Sequence, residues 1–465
     1  MKNAQKSINT QNAFARLRSL FDFSVLSLTD NGRRLTFLAL FIPKLCETLF
    51  ARLIGTVNTL MISAYAENAV GATTTATQII SIFTILMNIT TTGSTIIVSI
   101  ELGRESRERA GRIISTALIM VLITSGIASA FLFFFAEPLL RLLSLRGDAL
   151  VYGTEYLKIR GGLLFIPTVG SFLNTMLICN GKAIHTMISG IISNALNALF
   201  VYLLLYTRLI PALSGTAAVA VATEVAVIAS IIYSFIAFVR TGCPFVLCFD
   251  KSCLGRLYGT GIPGSIASMA YNLAMTLVVG LIGSIGITAL NAYSYTNNII
   301  TYAAMFSAVI SACVPVFVGR YAGRADFESI KKFCFIMLFF AIISNGGVSL
   351  IALIFHKSLL SIFTENGEIL AMAAAIFAID LVIECFRAIV NVLEAALNAC
   401  RDVITTLITG LCSAWGILLP GAYVLGILLG MGLPGCWLAF CLSEIAKAVT
   451  YIVRLRRGKW HKNIK

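Results

Sequence analysis

Apolar runs of about 20 residues recur along this chain, and charged residues gather in the short gaps between them. The runs predict twelve membrane-crossing helices, near residues 35–60, 69–98, 113–136, 156–179, 186–207, 215–240, 257–283, 287–318, 331–355, 368–399, 403–428 and 433–455. The tenth breaks the pattern. It carries Asp380, Glu384, Arg387, Asn391, Glu394 and Asn398, spaced four, three, four, three and four. At about 100° per residue these side chains fall within roughly 80° of one another, forming one narrow polar stripe. Lipid is not what the stripe faces, because a charge near the bilayer centre costs at least ~3 kcal/mol on the mildest scale. It looks onto protein or a wet cavity. Two readings stay open: a carboxylate that exchanges a proton or binds a cation, with Asp380, Glu384 and Glu394 as ion-coupling candidates, or a buried ionic staple of Arg387 with Asp380 or Glu384.

Composition places the whole chain in the membrane. Of 465 residues 58% are hydrophobic and 12% charged, and the mean hydropathy is +0.91, against about 25% charged in soluble domains. The expected fold class is all-α integral membrane. Met1 to Asp30 mixes Lys2, Lys6, Arg16 and Arg18 with Phe14, Leu17, Phe21 and Phe23, an amphipathic cytoplasmic segment and no cleavable signal peptide. With both termini inside, 25 of the 35 basic residues fall on the cytoplasmic side; Arg141, Arg146, Lys158, Arg160, Arg208 and Lys357 fall outside. That asymmetry accounts for the net charge of +14 and removes nucleic acid as a partner. The twelve cysteines lack CxxC pairs, and with three histidines a histidine-based metal site is not expected.

An internal repeat sets the architecture. Ile42-Pro43 recurs as Ile262-Pro263, Ala69 to Ala72 as Ala289 to Ala292, Gly190 as Gly410, and Thr223-Glu224 as Ser443-Glu444, all at one offset of 220. Gly103-Arg104 against Gly319-Arg320 gives 216, which implies one extra helical turn in the first half. Two six-helix halves with a substrate path between them are the arrangement of secondary transporters. The repeat also tests the stripe: its counterparts are Arg160, Leu164, Pro167, Ser171, Asn174 and Ile178, with one charge among them. Packing common to both halves therefore does not require it.

Further polar positions are weaker signals. The first helix carries Lys44, Glu47, Thr48, Arg52, Asn58 and Thr59, in which Lys44 and Glu47 have the spacing of a simple i,i+3 pair. Glu444 and Lys447 have it too. Substrate-path candidates are Asn58, Arg52, Glu47, Gln78, Tyr271, Asn272, Arg387 and Asn391, although lone Asn and Thr in membrane helices more often bond neighbouring helices. No P-loop, His–carboxylate metal pattern or Gly-x-Ser-x-Gly occurs, so neither an enzyme nor an ATP-driven pump is expected.

Taken together, Ile42-Pro43, Val57-Asn58-Thr59, Ala69 to Ala72, Gly93, Glu101-Leu-Gly103-Arg104, Gly261-Ile-Pro263, Asn398 to Asp402, Leu419-Pro420, Gly435-Cys-Trp437 and Arg457 to Trp460 resemble the multidrug and toxin extrusion (MATE) family. The resemblance implies a V-shaped pair of six-helix bundles: a cytoplasmic segment 1–34, an N-lobe 35–240, a linker 241–256, a C-lobe 257–455 and a basic tail 456–465. It implies a monomeric antiporter of the cytoplasmic membrane for multidrug efflux. Such a protein exports organic, often cationic compounds by rocker-switch alternating access in exchange for Na⁺ or H⁺, with no other cofactor. Three positions depart from the family pattern. Asn58 stands where the family has an Asp, Tyr271 where one branch has a Glu, and Arg387 where that branch has an Asp. Asp380 and Glu384 are the available replacements, and Na⁺ near them is one outcome. A path whose sign has changed towards a lipid-linked or otherwise anionic substrate is the other, with Arg52 and Arg387 meeting phosphate.

Overall fold

The structure is a computed structural model and describes residues 22–30, 33–65, 67–143, 145–205, 215–246, 248–361 and 366–463, without the side chains of 30, 33, 54–65, 67–70, 205 and 371. A short hairpin, β1 (Ser27–Asp30) with β2 (Arg33–Thr36), precedes a series of long helices. These are α1 (Phe37–Tyr65), α2 (Glu67–Gly103), α3 (Arg107–Leu142), α4 (Gly147–Gly162), α5 (Phe165–Cys179), α6 (Ala183–Leu205) and α7 (Gly215–Arg240), followed by α8 (Lys251–Ile285), α9 (Ile287–Gly323), α10 (Phe327–Ile354), α11 (Gly367–Ala399), α12 (Val403–Leu428) and α13 (Gly432–Arg457). Among the described residues ten helices are long and apolar enough to cross a membrane; α4 and α5, bent by 46°, pass the same test together and make an eleventh if they are one span. With the 29-residue α1, a helix stands at each of the twelve expected crossings.

Helix ends reproduce the repeat more strictly than the residues do. α2 and α9 start and stop at the same offset of 220, α3 and α10 start at it, and the α4–α5 pair covers Gly147–Cys179 where α11 covers Gly367–Ala399. Gly103-Arg104 therefore corresponds to Gly323-Arg324, not Gly319-Arg320. The extra turn expected from an offset of 216 does not exist. The turns agree: left-handed backbone recurs at Glu105 (φ 60°) and Ala325 (φ 56°), and at Gly181 (φ 75°) and Arg401 (φ 62°).

The chain divides into two compact units, Leu38–Ser265 on one side and Met1–Phe37 with Ile266–Lys465 on the other. In the first unit the α2–α8 crossing is unusually close. A Cβ on Gly93 would overlap the Leu257 carbonyl oxygen, and one on Gly261 would overlap that of Ile89. Only glycine fits at such a backbone approach. This contact binds the beginning of α8 to the first unit.

The second unit includes the hairpin. Leu28 and Leu35 pair across the strands and are buried, Tyr321 donates a hydrogen bond to the Val25 carbonyl (2.8 Å), and Arg324 donates to that of Thr29 (2.9 Å). Asp22, whose carboxyl is held below the usual range by hydrogen bonds from Ser24 and then by the charge of Lys332, ends the docked stretch. A folded hairpin thus replaces the amphipathic segment expected over residues 22–30; Met1–Phe21 lie outside the described residues. At the other end Gly458, left-handed at φ 66°, closes α13, and Trp460 is fully buried. Asp402 accepts two hydrogen bonds from Arg454 (2.6 and 2.9 Å) and one from Asn463 (3.1 Å). The Asp402 and Arg457–Trp460 motifs thus lock the end of the chain in place.

Candidate functional site

The stripe helix α11 packs on α9, α10 and α13 within its unit. A comparison with its repeat partner explains why it runs unbroken. In the first half Gly161-Gly162 and Pro167 interrupt the helix; proline lacks the N–H that would bond the Leu163 carbonyl, and Ser129 Oγ takes the freed Phe165 N–H at 2.9 Å. Arg387 stands where Pro167 does. Leu381 and Val382 stand where Gly161 and Gly162 do, so α11 lacks all three interruptions, and Arg387 in addition delivers a charge to its interior.

Glu384 is fully buried and both its oxygens are engaged. Asn345 Nδ2 of α10 donates to one at 2.8 Å, and Arg387 pairs with the other. Asn345 also donates to Ser307 Oγ of α9 (2.9 Å) and accepts the Ser307 N–H (2.9 Å), while Asn391 donates to the same hydroxyl (2.9 Å). Five polar side chains on three helices thus form one network. Asp380 is 1% exposed. It accepts a hydrogen bond from Ser349 at 3.3 Å and makes no ion pair among the described residues. At the far end of the stripe Asn398 accepts from Thr406 (2.6 Å).

Two cavities open onto α11. One of about 200 Å³ lies beside Asp380 and Arg387, walled by Tyr271, Tyr293, Trp437 and Phe440; the Arg387 guanidinium sits 5.0 Å from the Phe440 ring centre. The other, about 320 Å³, is lined by Tyr271, Asn272, Asn391, Glu394, Glu444 and Lys447. Tyr271 and Arg387 line both. Lys447 pairs with Glu444 at 2.6 Å, as their spacing implies, and its ammonium lies 5.3 Å from the Tyr271 ring centre. Glu394 lines this cavity without a hydrogen bond or ion pair among the described residues.

The first unit has a cavity of about 280 Å³ built from the equivalent positions. Ala51 lines it where Tyr271 lines the other, Pro167 where Arg387 does, Ser171 where Asn391 does and Asn174 where Glu394 does. Its charges are matched. Glu47 bonds Lys44 at 2.8 Å and accepts from Thr186 at 2.8 Å. Elsewhere in the unit Glu224 is paired with Arg160, which sits inside α4. Gln78, exposed on α2, and Arg52, exposed on α1, line none of these cavities, and the Asn58 side chain lies outside the described residues. Sequence reasoning missed Ser307, Asn345 and Ser349. A lone Asn in the apolar run of α10 was the available signal for Asn345.

Around the two cavities of the second unit stand Asp380, Glu384, Glu394 and Glu444 against only Arg387 and Lys447. Cavities against a carboxylate-rich helix, inside a duplicated bundle of membrane-length helices, are the build of a membrane transporter. Comparison with known proteins gives the family. The MatE family model matches residues 43–203 and again 263–424, its two starts differing by the offset of the repeat, and the chain belongs to that family. It is a transporter and not an enzyme. The uncharacterized transporter YisQ of Bacillus subtilis is 28% identical over 423 residues, covering 90% of this chain and 93% of YisQ. The probable multidrug resistance protein NorM of Thermotoga maritima is 21% identical, covering 90% and 92% of the two chains. In fold the chain matches a MOP superfamily transporter from Pyrococcus furiosus described by the reverse polarity of its binding pocket (TM-score 0.84, 15% identity, 94% and 97% covered). It equally matches an outward-facing multidrug resistance MATE family transporter (TM-score 0.84, 16% identity, 92% and 96% covered).

Proposed function

We propose that this chain exports organic cations in exchange for Na⁺ or H⁺ by alternating access, with Asp380 and Glu384 as the coupling carboxylates and Tyr271, Arg387, Asn391 and Glu394 along the substrate path. One observation carries the reading: the second unit encloses two more carboxylates than bases around its cavities, whereas the internal acids of the first, Glu47 and Glu224, each face a base. Uncompensated carboxylates in a low dielectric require a cation. Arg387 is occupied by Glu384, which leaves it no free charge for a phosphate and disfavours the anionic-substrate reading. Ion and substrate each favour one orientation of the carrier, so binding one prepares release of the other.

The test is transport in proteoliposomes under imposed Na⁺ and pH gradients applied separately. Asp380→Asn with Glu384→Gln is expected to abolish gradient-driven movement of a cationic dye and to leave its passive equilibration unchanged. Undiminished gradient-driven transport by the double variant overturns the assignment of the coupling site.

A further inference from the structure

We propose that residues 22–36 and 242–256 are two copies of one strap, each docked on the unit other than the one that the following helix builds, and that both stay docked while the carrier alternates; this rests on the alternating access proposed above. The two segments lie at the offset of the repeat. The chain passes between the units at two places, Phe37–Leu38 and Ser265–Ile266, and a strap precedes each passage. Residues 22–36 dock on α9 and α10 of the second unit and run into α1, which belongs to the first unit from Leu38 on. Residues 242–256 dock on α2 and α3 of the first unit and run into α8, which belongs to the second from Ile266 on.

The docking positions match while their chemistry differs. On α9, Tyr321 donates to the Val25 carbonyl (2.8 Å). At the same place on α2 stands Glu101, buried and paired with Arg256 (3.9 Å). Lys332 of α10 holds the start of one strap through Asp22 (3.8 Å), and Arg107 of α3 holds the start of the other through the Gly242 carbonyl (2.9 Å). Just past the straps, Phe37 lies among Phe317, Phe333 and Phe340, with ring centres 6.1, 6.1 and 6.5 Å away. Its equivalent, Leu257, is fully buried with its carbonyl against Gly93.

Two unrelated sets of contacts that secure the same two segments point to ties that the fold requires, not to latches that open. Releasing the first strap would bring the buried Val25, Leu28, Leu35 and Phe37 into water at every turnover. In the second, a Cβ on Gly111 of α3 would sit 3.2 Å from the Phe245 nitrogen, so the strap backbone lies directly on the helix, and Thr116 Oγ1 takes the Asp250 N–H at 3.0 Å. Turning of the units is thereby confined to the chain beyond Phe37 and beyond Ser265.

The experiment locks a strap shut. Asp22→Cys with Lys332→Cys, bridged in proteoliposomes by a reducible ethane bis-methanethiosulfonate, is expected to keep gradient-driven ethidium efflux within about twofold of the unbridged pair; the native chain, whose Cys412 is exposed, is treated alike as control. Leu28→Asp, which puts a charge beneath the hairpin, is expected to lower efflux about tenfold, and bridging the cysteine pair in that background to recover most of the loss. If Leu28→Asp is not recovered folded, Tyr321→Phe, expected to lower efflux about threefold, takes its place. Bridging that stops efflux until reductant is added reveals a latch and overturns the proposal. Unchanged efflux in the loosened variant, or no recovery on bridging it, does the same. Amide hydrogen exchange needs no transport: residues 27–36 are expected to stay protected with and without Na⁺ and ethidium, and protection lost on adding either also overturns the proposal. A native chain without gradient-driven efflux removes the exporter reading and leaves exchange to decide the straps; efflux that only the bridge blocks removes the fixed straps and leaves the exporter.

Discussion

Arg387 is the residue on which the interior of the second unit turns. It neutralises Glu384, covers Phe440 and forms a wall of both cavities. Removing one partner of a buried ion pair leaves the other charge uncompensated and typically costs about 3–5 kcal/mol. Arg387→Met alone should therefore lower the thermal unfolding midpoint in detergent markedly. Adding Glu384→Gln should recover most of the loss, and additivity of the two changes in a double-mutant cycle would show that they do not interact. At this scale the sequence was legible wherever partners share a helix: Lys44 with Glu47, Glu384 with Arg387 and Glu444 with Lys447 all follow from a spacing of three. Partners on other helices were not. Asn345, Ser307 and Ser349 reach α11 only through packing, and the Arg160–Glu224 pair joins two separate helices, α4 and α7, which no local period encodes.

Among the elements, helix boundaries were readable because apolar runs end at charged turns, whereas interruptions inside them were not. The break between α4 and α5 depends on which neighbour takes the freed N–H. In α12 two wide π-type turns, Ala414–Leu418 and Ala422–Leu428, flank Pro420, where a missing N–H loosens the ladder. The β-hairpin was equally hidden, since strands of four residues are too short for a period of two to stand out. Close crossings lend themselves to a sharp comparison within α8. Gly261→Ala would drive a methyl into the Ile89 carbonyl and should destabilise the protein by about 1–3 kcal/mol or more. Gly259→Ala meets nothing within 4 Å and should stabilise α8 by up to about 1 kcal/mol. Midpoints of thermal unfolding for the two purified variants, measured against the native chain, should move in opposite directions.

For the whole molecule the duplication was the most legible feature, because two copies of one plan leave coincidences at a fixed offset that chance does not produce. Its register was less so: a recurring Gly-Arg pair misled by one helical turn, and only the helix ends corrected it. The basic residues predict cytoplasmic termini, so a fluorescent protein fused after Lys465 should light up in cells while alkaline phosphatase fused at the same point stays inactive; the reverse would invert that expectation. The two surplus carboxylates of the second unit also bear on how tightly the carrier is geared. An exporter that returns empty wastes its gradient, and the usual remedy is to make the empty return slow. A bare carboxylate within the bilayer costs at least about 3 kcal/mol, which corresponds to a rate penalty of about a hundredfold for any step taken without a cation aboard. Under the exchange proposed above, slippage would be suppressed by this electrostatic cost, with no latch needed to forbid it.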